Sequence, residues 1–187
     1  MSSRFSHLFK KINGFGLIEL MVSISIMMLV AAVILARQSA FNGAVLLQSQ
    51  AYEIALTARE VQTNAVSASV LAGTARQMLG LYFDTSRNTT YRIFRDVQGN
   101  GSYDVSEEYG QQNSLDSRFE IKAIRVGGTA QNSVSVMFER PDFDAKFYVG
   151  TSQVSAGLVE IDIGTKDNSA VGVKTIMITA TGQVTVQ

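Results

Sequence analysis

The sequence predicts an α+β protein in which one long N-terminal α-helix packs on a C-terminal antiparallel β-sheet or sandwich domain. Three observations carry this. An apolar run from Phe15 to Ala36 holds one ionisable side chain, Glu19. A stripe of apolar residues at helical spacing follows, from Leu47 to Ala68. After about Leu79 the pattern changes to alternation, in short runs rich in β-branched and aromatic residues. A chain of 187 residues has room for one domain with a real core plus an anchor. The divisions read as a short basic leader over 1–14, a membrane-length helix over 15–37, an amphipathic helix over 38–76 and a β-rich domain over 77–187.

Composition narrows the chemistry. There is no cysteine, and the single histidine, His7, lies in the leader. Disulfides, thiolate zinc sites and cysteine nucleophiles are therefore excluded, and a chain without its leader lacks the commonest general base. An enzyme is not expected. The formal charge is zero, and loss of Arg4, Lys10 and Lys11 with the leader takes it to −3. Such a chain has no general attraction for nucleic acid.

The apolar run has the length needed to span a bilayer as a helix. Lys10 and Lys11 on its N-terminal flank place that end in the cytoplasm. A secretory signal would have a shorter apolar region followed by a small-residue cut site. Here the cut-site candidate, Gly14, precedes the run, so cleavage leaves the helix on the mature protein. A carboxylate near the end of a spanning helix costs on the order of 2 kcal/mol or more, so Glu19 calls for a partner. Cleavage after Gly14 would give Phe15 a free α-amino group four residues from Glu19. The amine of one subunit can then neutralise the carboxylate of its neighbour in a dry bundle. The simpler alternative is a signal anchor whose Glu19 snorkels to the interface.

Gly14, Phe15, Gly16, Leu17, Ile18, Glu19 and Leu20 resemble the prepilin signature of the type IV pilin and pseudopilin family: a basic leader, Gly at the cut site, Phe first in the mature chain, then Thr-Leu-Ile-Glu-Leu. Gly16 replaces the usual Thr. The resemblance implies cleavage by a membrane-embedded prepilin peptidase between Gly14 and Phe15, N-methylation of Phe15, and assembly through Glu19 into an extracytoplasmic filament. The implied partners are other pilin or pseudopilin subunits, the peptidase, an inner-membrane assembly platform and, before assembly, membrane lipid.

In the amphipathic segment Leu47, Ala51, Ile54, Ala58, Val61, Ala65 and Ala68 form one face, and Gln50, Glu53, Arg59, Glu60 and Gln62 the other. The only proline is Pro141, so none kinks the helix. Gly43 is its weak point, costing about 1 kcal/mol relative to Ala.

Eight strands are expected, in "LYFD", "TYRIFRDV", "RFEIKAIRV", "SVSVMFER", "AKFYVG", "GLVEIDIG", "VKTIMITA" and "QVTVQ". In the third, Phe119, Ile121, Ala123 and Val126 alternate with one slip, the mark of a bulge. The segments Phe138 to Ala145 and Thr181 to Val186 are similar to those of the H-type pseudopilin and FimT-like minor pilin group. Some FimT-like members bind DNA through basic residues at the final hairpin. This chain has Gln183 where Arg is typical and no Lys or Arg after Lys174, so DNA is not an expected partner.

One loop carries a cation-binding pattern. In "DVQGNGSYDVSE", Asp96, Gln98, Asn100, Gly101, Ser102, Asp104 and Glu107 occupy positions 1, 3, 5, 6, 7, 9 and 12 of an EF-hand-type calcium loop. A hard cation needs several oxygens converging from a tight turn, and Glu107 is placed to close the site with both oxygens. Flanking helices are missing, and a plain β-hairpin loop rich in Asn and Gly fits the same residues. Calcium is the only cofactor the sequence raises.

Other charged sets are ordinary. Glu107 with Glu108 and Asp142 with Asp144 read as solvated loop charges rather than a glycosidase pair. Arg92, Arg95, Arg118, Lys122 and Arg125 lie near Tyr91 and Phe94, a nucleic-acid-binding combination, but interleaved acids favour a wet strand face. The expected function is a structural subunit, a minor pilin or pseudopilin of a type IV pilus or type II secretion pseudopilus. It would first be anchored by one span in a bacterial inner membrane and then be extracytoplasmic. The alternative is a pilus-associated module binding DNA, calcium or a surface ligand.

Overall fold

A computed structural model describes residues 16–67, 78–110, 112–138, 143–167 and 172–187. The chain is α+β. Helix α1 runs without interruption over Leu17–Ser67, through Asn42 and Gly43. The described residues then form eleven strands: β1 (Met78–Asp84), β2 (Thr90–Asp96), β3 (Asn113–Ser114), β4 (Phe119–Val126), β5 (Thr129–Gln131), β6 (Ser133–Phe138), β7 (Ala145–Val149), β8 (Ser152–Val154), β9 (Leu158–Thr165), β10 (Val173–Thr179) and β11 (Val184–Val186). They pair antiparallel in two sheets, ordered β3-β2-β1-β6-β7-β8 and β11-β10-β9-β4-β5. The chain divides into two compact units, Met1–Ser39 and Ala40–Gln187.

Eight of these strands coincide with the alternating segments of the sequence. The other three, β3, β5 and β8, are two or three residues long and lie at or beside sheet edges, too short for alternation to register. The slip in β4 is a bulge: its register against β9 shifts between Ile121 and Ala123. The shift turns Ile124 rather than Ala123 inward, so Phe119, Ile121, Ile124 and Val126 are all buried.

Within Ala40–Gln187 one apolar core joins α1 to both sheets. Leu47, Ala51, Ile54, Ala58, Val61 and Ala65 supply the helical face; Ala68 lies outside the described residues. Leu81, Phe83, Val136 and Phe147 of the first sheet and Ile121, Ile161, Ile163 and Ile176 of the second meet it. Burying such side chains is worth about 1.5–3 kcal/mol each, and this face holds the helix to its domain.

Two residues assigned to the wet face of α1 are buried instead, because their amides satisfy loop backbone. Gln50 Oε1 accepts from the Asp116 N–H at 2.9 Å. Gln62 Nε2 donates to the Phe143 and Gly182 carbonyls at 2.6 and 3.0 Å. Gly182 has φ +76°, and a Cβ there would collide with the Phe143 carbonyl. Glu53, Arg59 and Glu60 are exposed as expected, and Arg59 Nη2 donates to the Val184 carbonyl at 2.9 Å. Thr57 Oγ1 and Tyr91 Oη are 3.2 Å apart, and burial pushes the Tyr91 phenol above its ordinary pKa.

Candidate functional site

Two regions bear on function: the first half of α1 and the loop after β2. Leu17–Leu35 is long and apolar enough to cross a membrane by length and composition, and none of it is buried within the chain's own fold. Glu19 lies in the first helical turn, where the helix dipole favours a negative charge. Its N–H and that of Leu20 donate to the Gly16 carbonyl at 3.0 and 3.1 Å. Ser23 and Ser25 return their hydroxyls to the carbonyls of Glu19 and Met21, so neither leaves a polar group facing lipid unpaired. No described residue forms an ion pair with Glu19. Gly14 and Phe15, the expected cleavage and methylation residues, lie outside the described residues.

Past that segment, exposed Phe41, Val45, Tyr52 and Leu56 recur at spacings of four, seven and four. They form one apolar stripe on α1, away from the face carrying Leu47, Ala51 and Ile54.

The loop after β2 folds over the outer face of the first sheet. Phe94 and Met137 are fully buried yet outside the main core, because this loop covers them. Tyr103 stacks on Tyr82 at 4.8 Å between ring centroids and meets Phe94 edge-on at 5.6 Å. Gly101, at φ +69°, lies so close to the Tyr148 ring that a Cβ would collide with it. The spacing of oxygens did not reveal this anchoring. One aromatic in a polar loop, Tyr103, was its only trace in the sequence.

The expected calcium ligands are brought together in part. Asp96 and Glu107 are buried, 3% and 5% exposed, and hold the same turn by its amides. Asp96 Oδ1 accepts from Gly99 and Asn100 at 2.6 and 3.2 Å, and its Oδ2 from Gly101 at 2.8 Å. Glu107 Oε1 accepts from Val97 and Gln98 at 2.9 and 3.0 Å. Its Oε2 is buried and has no hydrogen-bond partner. Asn100 donates to Gln98 Oε1 at 3.3 Å and accepts from the Ser102 N–H at 2.8 Å. Asp104 is exposed and caps the 3-10 turn Val105–Glu107, accepting from Ser106 N and Oγ at 2.8 and 2.7 Å, which hold its carboxyl below the usual range. Among the described residues no three of His, Cys, Asp or Glu are grouped to share a metal.

Several of the remaining charges find partners, and Glu107, expected as a solvated loop charge, is buried because the turn amides hold it. Glu108 points away from Glu107, to Arg92 at 2.7 Å, while Asp142 lies outside the described residues. The basic set is split between two sheets, and four of its five members, Arg92, Arg118, Lys122 and Arg125, meet carboxylates. Arg95 stacks over Tyr109, Arg118 chelates Asp116, and Lys122 pairs with Glu120 at 2.6 Å. Arg125 binds Glu160 and Asp162 across β9 at 3.0 and 2.6 Å. With four of the five cations held by carboxylates, little net positive charge is left on these strands to attract a phosphate backbone.

The pattern of the prokaryotic N-terminal methylation motif matches residues 9–35. This is a type IV pilin-like prepilin signature. No curated protein and no solved structure matches the chain. The prepilin motif takes in the end of the leader, Gly14, Phe15, Glu19 and the apolar run to residue 35, and it points to a structural precursor rather than an enzyme.

Proposed function

We propose that the chain is a structural subunit, a minor pilin or H-type pseudopilin, of a type IV pilus or type II secretion pseudopilus. Prepilin peptidase cuts between Gly14 and Phe15, Phe15 is N-methylated, and its amine pairs with Glu19 of a neighbouring subunit. Before assembly the apolar helix spans the inner membrane with its N-terminus in the cytoplasm. The assembly platform then moves the subunit into the filament. The observation that carries this reading is an apolar helix wholly uncovered by its own fold, headed by one acid inside a prepilin motif. Such a helix needs lipid first and other helices afterwards.

The stripe Phe41, Val45, Tyr52 and Leu56 extends the same logic beyond the membrane-length segment. Tyr52 is exposed on that stripe, so a photo-crosslinking benzophenone amino acid in its place bonds covalently to whatever packs against it. Irradiation of intact cells carrying the assembly machinery is expected to give crosslinked oligomers containing this subunit, detected on denaturing gels. Only monomer, with the variant correctly processed, would favour a membrane-tethered domain that never polymerises.

A further inference from the structure

The carboxylates of the loop after β2 are an electrostatic anomaly. Asp96 and Glu107 are both more than nine-tenths buried, and no described Lys or Arg forms an ion pair with either. Buried carboxylates are paired, protonated or metal-bound. Amide hydrogen bonds account for both oxygens of Asp96 and for Oε1 of Glu107. They leave Glu107 Oε2 buried and unpartnered, on a carboxylate already held against Val97 and Gln98. Arg92, whose Nη1 goes to Glu108, does not supply the missing charge.

We propose that the turn between Asp96 and Glu107 binds calcium, with Glu107 Oε2 as the anchoring ligand. Asp96 Oδ2 accepts one amide and keeps a lone pair, and Gln98 and Asn100 add neutral carbonyl oxygens to the same turn. Water completes the six to eight oxygens that calcium takes. Two features differ from the full EF-hand pattern. Asp104 is turned outward to cap Ser106, and Glu107 ligates through one oxygen because two amides fill the other. With two carboxylates in place of the usual larger acidic set, the site belongs to the weak, extracellular class, with a Kd of about 10⁻⁴ to 10⁻³ M. Magnesium, which demands a tight octahedron and keeps its waters, fits such a turn poorly. This proposal is independent of whether the chain assembles into a filament.

The test uses the full chain in neutral detergent, stripped of metal with a chelator and titrated with terbium. The chain has no tryptophan, and Tyr148 lies against Gly101 while Tyr103 belongs to the loop, so tyrosine excitation reports a lanthanide bound there. Saturable luminescence is expected, displaced by calcium in the sub-millimolar to millimolar range. Calcium should also raise the unfolding temperature. Glu107→Gln keeps the shape and the acceptor for the two amides but removes the charge. It is expected to weaken calcium binding by roughly tenfold or more while unfolding in chelator at a temperature no lower than the parent chain. Luminescence that calcium does not displace, no response at millimolar calcium, or equal responses from Glu107→Gln and the parent chain would each overturn the proposal.

Discussion

Replacing Glu19 by alanine is expected to abolish incorporation into filaments while leaving the β domain folded and the helix in the membrane. The substitution makes the apolar segment more hydrophobic, so failed insertion is not a route to the phenotype. Glu19 has no partner among the described residues of its own chain, and no folded contact is lost with it. In the proposed assembly, the charge that disappears is the one that meets a neighbour's α-amino group. Removing one partner of a buried ion pair costs about 3–5 kcal/mol, which corresponds to roughly a hundredfold or more in association. Glu19→Gln, which keeps the shape without the charge, should behave like the alanine variant. Quantifying the subunit in sheared filaments against its amount in membranes gives the answer. Wild-type incorporation of both variants would contradict the register-pinning role of the carboxylate.

The largest loss of stability is expected from Phe94→Ala. Phe94 is fully buried on the outer face of the first sheet, beneath the edge of Tyr103, and a Cβ on Gly80 would come within 3.1 Å of its ring. Gly80 leaves the space that the ring and the Met137 side chain fill. Truncation opens a cavity between sheet and loop and is expected to cost about 3–5 kcal/mol. For a domain of this size that lowers the unfolding temperature by roughly 10 °C. The effect should be local as well as global. Hydrogen exchange at the Gly99, Asn100 and Gly101 amides, now held by Asp96, should accelerate more than exchange in β9. An unchanged melting temperature would mean that the loop does not pack on the sheet as described.

Features that depend on local periodicity were legible in the sequence; features that depend on strand register were not. The stripe from Leu47 to Ala65 and the slip in β4 follow from side-chain spacing alone, and the structure reproduces both. Gln50 and Gln62 were misread because an amide at the border of an apolar stripe looks wet until a backbone partner is known. The Arg125 pairs with Glu160 and Asp162 join residues 35 and 37 positions apart, so that part of the offsetting charge emerges only once β4 lies against β9. In the loop after β2 the oxygen spacing was visible. The capping role of Asp104 and the occupation of Glu107 Oε1 by two amides are three-dimensional facts. The prepilin motif stood out because processing reads a linear stretch of sequence.

N-terminal sequencing and intact mass of the protein, from cells with and without prepilin peptidase, test the central claim most directly. The account predicts a chain beginning at Phe15 and heavier by one methyl group, found only when the peptidase is present. A chain beginning at Met1 or Ser2 in both strains would contradict it, and would leave a membrane-tethered domain that does not enter the filament pathway.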